Sequence, residues 1–521
     1  MLSLIERISA AGDEPILWWD GTAISGSDIA ARSDRIAGGL RAAGIRRGDR
    51  IAAILPNGAD WYLILAACAR LGVAIVSLNS RIGTKEAGDL IARTRSKAVV
   101  YDPDLRGGAV DRMLRGIAAD KLATLRVTVP VTGDAPPLTN DAPAHSLRQL
   151  EEVGGDYEGG QLEDPLFIMP TSGTTSAPKL VVHSQERIMH HGGDVAASFR
   201  LDARSKILVA IPLCGAFGFT TALTAIAGGC PVILFDGFDA AAIAGAIDRH
   251  AVTHMTGTND MLAALLAHIS DARPFPSLRM YGHANFTPGL NDLPAEAESR
   301  GIMMRGMYGM SETMAFVAAQ PWEAPLQVRA EAGGELICPE AEMRVVDVES
   351  GRPVKAGEVG ELEIRTPDCM IEYFEDRERT SETFTADGFL RTGDLAVCRE
   401  GGRFDFVSRK GDILRIGGYL VSPAEIEDVI KAAGPVAACQ VVAVTYLERV
   451  RPVAFVVAED GQQLSEQVLL SACSALAVYK RPIRIFTIEA MPTVDGPNGA
   501  KVRKNDLRDL ALERLEREAA R

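Results

Sequence analysis

No two of the eight cysteines are spaced Cys-x-x-Cys. The chain therefore shows neither a disulfide framework nor a zinc signature, and reduced thiols in a cytoplasmic protein are expected. A basic excess is also missing. Fifty-five Lys and Arg stand against 69 Asp and Glu, a formal net charge of −14. That balance argues against nonspecific binding to nucleic acid or to an anionic membrane surface. A small anionic ligand stays open, because a local basic pocket can work against the net field. There is no unbroken apolar run long enough for a membrane span. The best candidate, "WYLILAACARLGVAIV", is interrupted by Arg70 and reads as a buried helix followed by a strand. The opening "MLSLIERISAAGDE" has no basic stretch ahead of an apolar core, so no signal peptide is expected. Internal repeats and low-complexity tracts are absent as well.

What is present suits a large globular protein. The 521 residues allow about three to four domain-sized units. Hydrophobic residues at 47% and charged residues at 24% can bury a sizeable core. "RIAAILP", "VAIVSLN" and "SKAVVYD" read as strands, and "ADWYLILAACARLG" reads as a helix stopped by Gly72. "TGDAPPLTNDAPA" reads as a surface loop. Further on, "SKILVAIPL" and "CPVILFD" are strand-like, while "AAAIAGAIDRHA" and "DMLAALLAHIS" have helical spacing. Residues 335 to 398 change to short β-like runs with Gly- and Pro-rich turns, which predicts a small β subdomain. The last hundred or so residues mix helix and strand as a compact α+β unit. They end in "NDLRDLALERLEREAAR", expected to be a solvated amphipathic helix.

One stretch asks for a ligand. "TSGTTSAPK", Thr171 to Lys179, places five hydroxyl side chains, a glycine and a terminal lysine between two apolar segments. Backbone N–H groups around a glycine can converge on an anion, hydroxyls add donors, and Lys179 adds charge. A plain surface turn has the same composition, and composition alone does not choose between them. The stretch is not the usual P-loop, which needs GxxxxGK[ST], nor the GxGxxG of a dinucleotide fold. Ser172 also lacks the GxSxG neighbours of a nucleophile elbow.

"IMPTSGTTSAPK" closely resembles the phosphate loop of the adenylate-forming enzymes, which include acyl- and aryl-CoA ligases, peptide-synthetase adenylation domains and firefly-type luciferases. Four more segments follow in that family's order: "GMYGMSE" (306–312), "RTGD" (391–394), "SRKGDILRIGGYLVSPAEIE" (408–427) and "PNGAKVRKNDLR" (497–508). Each of the two shorter segments is weak alone; the ordered set spans nearly the whole chain. The resemblance implies an α/β fold. A large N-terminal AMP-binding domain (1–408), made of α/β subdomains and a small β subdomain, is joined by a hinge to a small, mobile α+β domain (409–521).

It also implies a chemistry and its residues. A carboxylate joined to AMP becomes a good acyl donor, and a thiol then displaces AMP. The implied ligands are ATP, Mg²⁺, coenzyme A and a small carboxylic acid. Thr171, Ser172, Gly173, Thr174, Thr175 and Lys179 are implied around the β- and γ-phosphates. Glu312 would hold Mg²⁺, since a hard cation prefers carboxylate oxygen. Ser311 would bond the α-phosphate. Tyr308, beside Met307, would lie against adenine, with Ala284 and Gly306 across from it. Asp394 and Arg409 would take the ribose. Lys501 would be the mobile catalytic lysine. Gly417 and Gly418 fit a segment that passes close to the CoA tunnel.

Two positions depart from the family's pattern. Gly411 stands where the hinge residue is usually Asp or Lys, with Lys410 and Asp412 beside it. In "PLCGAFG" (212–218), Gly215 replaces a gating His or aromatic residue. That segment carries no acid to hold a substrate amine, which disfavours amino acids. Its small, apolar lining favours a fatty or aromatic acid, with Phe217 and Met310 as pocket walls. His183, His190 and His191 follow the loop without a spacing that marks a metal site, and His283 is left between ATP contact and a structural role. No insertion is evident in the large domain, which leans toward CoA as acceptor. A carrier-protein acceptor, a catalytically silent nucleotide-binding homologue and a luciferase-like oxidation are the alternatives. A homodimer stays open.

Overall fold

The computed structural model describes residues 2–133, 135–171, 178–284, 290, 292–410, 414–416, 419–421, 423–447, 449–496 and 499–519. Ser172, Gly173, Thr174, Thr175, Gly411, Gly417 and Gly418 lie outside them, and of Lys501 only the backbone is described. Two compact units emerge. The first takes in 1–344, 363–391 and 399–405; the second takes in 345–362, 392–398 and 406–521. The second unit thus gathers two segments that the sequence reading left with the large domain.

The first unit contains a seven-stranded sheet. Its order is Glu372–Tyr373, Lys179–Ser184, Pro165–Thr171, Ala74–Ser77, Arg50–Ile54, Ala98–Tyr101 and Val127–Pro130. The last five strands are parallel. Their apolar runs alternate between two cores: Ile51, Ala53, Ile75 and Phe167 face one, while Ala52, Ile54, Val76 and Ile168 face the other. A parallel sheet covered on both sides requires such runs. The helix Ala59–Leu71 ends where expected, with Gly72 at φ 68° and its N–H on the Cys68 carbonyl.

A second parallel array in the same unit runs Pro15–Trp19, Val232–Leu234, Ile207–Val209, His254–Thr258, Met280–Ala284 and Met304–Tyr308. Between its strands lies the largely buried helix Ala216–Gly228, mostly apolar, with its polar Thr220, Thr221 and Thr224 all hydrogen-bonded. After Tyr308 the array turns antiparallel through Ala318–Ala319 and Gly333–Leu336.

In the second unit, Val436–Tyr446 and Arg449–Ala458 form a long hairpin with Ile485–Thr487 alongside. Cys439 and Val441 pack on one face with the helix Pro423–Lys431. Val442 and Val444 pack on the other with the terminal helix Lys504–Ala519. That last helix is not merely solvated. Leu507, Ala511 and Leu515, one turn apart, are buried against Phe455 and Phe486. Its charged residues kept the buried stripe narrow, which is why the sequence reading missed it.

Candidate active site

The site grows from one hairpin-like turn. Pro165–Thr171 runs up and Lys179–Ser184 runs back, with Thr171 paired to Lys179. The phosphate-loop segment is therefore slung between two residues fixed as ladder neighbours. The edge strand Glu372–Tyr373 adds on the far side, with Tyr373 opposite Val181. Side chains two apart share a face of a strand, so Tyr373 lies diagonally across from Lys179. Lys179 Nζ donates to Tyr373 Oη at 3.0 Å, and Tyr373 Oη donates to Glu312 Oε1 at 2.7 Å. Lys179 Nζ is itself 4.0 Å from Glu312 Oε1. Burial, with the Glu312 carboxylate adding to it, raises the Tyr373 phenol well above its ordinary pKa. The phenol keeps its proton and stays a donor.

Glu312 is 6% exposed and sits in the one-turn helix Ser311–Thr313. Its carbonyl accepts from Met370 N at 2.7 Å. The neighbouring Ser311 carbonyl accepts from His183 Nε2 at 2.8 Å. Burial drives the His183 pKa down to about 3, so this ring is a neutral donor rather than a charge. Met314, Ala315 and Phe316 follow with φ of 54°, 58° and 32°. Three successive left-handed residues with side chains cost about 1–2 kcal/mol each. Backbone bonds from Met314 N to the Ser311 carbonyl at 3.2 Å and from Ala315 N to the Met310 carbonyl at 2.9 Å close the turn, and two further contacts brace it. Thr220 Oγ1 donates to the Met314 carbonyl at 2.6 Å. Gly309 leaves room for backbone that a Cβ there would meet at 2.4 Å, at Ala315 C and Phe316 N.

Ala284 and Tyr308 end neighbouring parallel strands. The carboxyl edge of a parallel sheet is where such folds bind ligands. Tyr308 is nearly buried, edge-on to Phe404 with centroids 5.2 Å apart. Met307 pairs with Ala319. Gly306 is demanded by packing: a Cβ there would lie 1.8 Å from the Glu331 carbonyl oxygen. His283 is 1% exposed within its strand.

Gly215 caps the N-terminus of the helix Ala216–Gly228. Phe217 turns away to meet Phe316 edge-on at 5.1 Å, and Met310 packs against the main core. The same helix lines a small apolar cavity of about 20 Å³, room for about one water, with Phe219, Leu223 and Ile226, closed by Trp61, Tyr62 and Leu213. Gly215, Phe217 and Met310 are not among its lining residues. Within the second unit, Arg409 Nε is 3.8 Å from Asp394 Oδ1, Lys410 N donates to the Gly393 carbonyl at 2.8 Å, and Lys410 Nζ pairs with Glu361 at 2.5 Å. Lys501 lies on the strand Gly499–Val502, paired with Val494.

Residues 5–374 match the family model of the AMP-binding enzymes. The chain belongs to that family. It is 30% identical over 501 residues to a feruloyl-CoA synthase of Amycolatopsis sp, covering 94% of each. It is equally identical over 500 residues to an indoleacetate–CoA ligase of Aromatoleum aromaticum, covering 94% of this chain and 93% of the relative. An o-succinylbenzoate CoA synthetase from Bacillus subtilis, solved with its acyl-adenylate, superposes with TM-score 0.83 over 98% of each chain at 23% identity. This AMP-binding enzyme is thus an acid–thiol ligase with the α/β fold that its motifs implied. No helix among the described residues is long and apolar enough to cross a membrane. Tyr373, His183 and Thr220 escaped the motif reading. Only the position of Tyr373, inside the β-like run "CMIEYF" (369–374), offered any signal.

Proposed function

We propose that the chain is an ATP-dependent carboxylate–CoA ligase acting on an apolar acid, with aryl acids first among its substrates. The observation that carries this is the Lys179–Tyr373–Glu312 chain. It brings an ammonium and a buried carboxylate from two distant motifs within 4.0 Å of one another. A lysine beside one carboxylate suits a Mg²⁺-bound triphosphate, because Mg²⁺ commonly takes one or two carboxylates plus substrate phosphates. Bound there, Mg²⁺ neutralises phosphate charge. Glu312 would hold it, and Lys179 with the Thr171–Thr175 loop would hold the outer phosphates.

The substrate carboxylate oxygen bonds to the α-phosphorus of ATP, and the bond to pyrophosphate breaks. The CoA sulfur then bonds to the acyl carbon, and AMP leaves. In this reading Ser311 orients the α-phosphate, Tyr308, Met307, Ala284 and Gly306 frame adenine, and Asp394 with Arg409 takes the ribose. Lys501 arrives with a mobile domain spanning 409–521 and bridges carboxylate to phosphate. Gly411 serves as the pivot, and Gly417 and Gly418 flank the CoA path. The feruloyl- and indoleacetate-activating relatives support an apolar acid and favour an aryl one.

The test is mass spectrometry of products after incubation with ATP, Mg²⁺, CoA and a pooled panel of aryl and aliphatic acids. An aryl-CoA peak is expected. Acyl-AMP without thioester would move the acceptor to a carrier protein, and no pyrophosphate release with any acid would overturn the reading.

A further inference from the structure

A second constellation lies behind the Ser311–Glu312 turn, where no sequence spacing marked it. His190 and Asp194, one turn apart, share a face of the helix Gln185–Ser198. Cys338 follows the strand Gly333–Leu336, and Asp368 follows Val359–Arg365. One ligand atom from each lies within 4.8 Å of all the others. His190 Nδ1 is 2.7 Å from Asp368 Oδ1 and 3.6 Å from Asp194 Oδ2. Asp368 is 1% exposed and Cys338 is 4% exposed.

We propose that His190, Asp194, Cys338 and Asp368 form a structural site for a four-coordinate divalent cation of the zinc type. The second observation is a pair of unsatisfied oxygens, one on each carboxylate, with Asp368 otherwise on His190 and Asp194 on the Cys338 thiol. Asp368 Oδ2 and Asp194 Oδ2 are buried with no hydrogen-bond partner. His191 Nδ1 stands 3.6 Å from Asp368 Oδ2, beyond hydrogen-bond distance. A carboxylate oxygen shut away from water and left unpaired costs about 1–3 kcal/mol or more, unless something binds it. A dipositive ion at the centre of the four donors supplies that partner.

The donor set selects the ion. A thiolate and an imidazole exclude Mg²⁺ and Ca²⁺, which want oxygen alone. Sulfur, nitrogen and two carboxylate oxygens match zinc. Tetrahedral bonds of about 2.0–2.3 Å put ligand atoms roughly 3.3–3.8 Å apart. The widest pair needs to draw in by about 1–1.5 Å, and His190 Nδ1 and Asp368 Oδ1, 2.7 Å apart, need to part by about 0.6 Å. On binding, the Cys338 S–H bond breaks, its proton leaves to solvent, and the sulfur bonds the metal. His190 Nδ1 gives up its contact with Asp368 to do the same. The site would pin helix Gln185–Ser198 to the 366–373 segment, whose Met370 N–H and Tyr373 hydroxyl both hold Glu312.

The test strips the full-length protein with a chelator and titrates it with Co²⁺ as spectroscopic probe. One equivalent should produce the visible bands of four-coordinate cobalt and a thiolate-to-cobalt charge-transfer band. Zn²⁺ should displace both, and Zn²⁺ but not Mg²⁺ should raise the melting temperature. Cys338→Ser should abolish the charge-transfer band. His190→Gln, at a partly exposed position, should lower affinity at least tenfold and serves if the cysteine variant does not fold. Absence of any thiolate–cobalt band in the wild type, or its survival in Cys338→Ser, would overturn the assignment.

Discussion

Tyr373 stands between Lys179 and Glu312, taking a hydrogen bond from the ammonium at 3.0 Å and giving one to the carboxylate at 2.7 Å. It therefore sets how far apart the two charges rest. A bare Lys–Glu contact in a partly buried site would collapse and occupy the groups that phosphate and cation need.

Tyr373→Phe removes that spacer. A hydrogen bond to a charged group is worth about 1.5–3 kcal/mol. The expected loss in kcat/KM for acid-dependent ATP–pyrophosphate exchange is thus about 10- to 100-fold, with folding intact by circular dichroism. Unchanged exchange would remove Tyr373 from the site.

Lys501→Ala should lower adenylation by about 10²–10³, as for loss of one preorganised donor. Thioester formation from preformed acyl-AMP should be spared. Equal losses in the two half-reactions would end the role given to Lys501.

Thr220→Val leaves the Met314 carbonyl without its buried donor at the strained turn. Denaturant unfolding should show a loss of about 1–3 kcal/mol. Gly309→Ala should be worse, since its Cβ would strike backbone at 2.4 Å. If both variants unfold like the wild type, the turn is held by something else.

His254 gives a pH prediction. It is buried between Thr253 Oγ1 and the Phe199 carbonyl, and burial lowers its pKa from 6.5 to about 4. Between those values the unfolded chain takes up a proton that the folded chain refuses. Stability is therefore full above pH 6.5 and falls as pH drops toward 4, by about 3 kcal/mol over the window. His254→Gln should remove that part of the slope in urea titrations run at several pH values. Parallel curves for the two proteins would refute it.

Much of the fold was legible because its strands are short apolar runs bounded by turn residues, and its helices keep their period. Ala59–Leu71 and Ala240–His250 fall within the segments read as helices, and Asn259–His268 starts one residue before the third. The motif residues were legible because phosphate and cation chemistry demands particular residue types. Tyr373, Thr220 and the His190–Asp368 cluster were not. Each acts through a partner more than sixty residues away, or joins residues from separate elements. Pairing of that kind is decided by sheet register and helix packing, which no local spacing encodes. Phe217 faces Phe316 and Phe219 faces Phe167, because residues two apart on a helix point to different sides.

The helix Ala216–Gly228 touches three things at once. Phe219 walls the cavity and stacks on Phe167, with ring centroids 3.9 Å apart, in the strand that leads to Thr171. One residue on, Thr220 steadies the turn after Glu312. One helix thus braces both the strand that leads to Thr171 and the turn after Glu312. Trimming Phe219 should therefore be felt at both, so a substitution in this buried helix is expected to slow turnover without touching either loop.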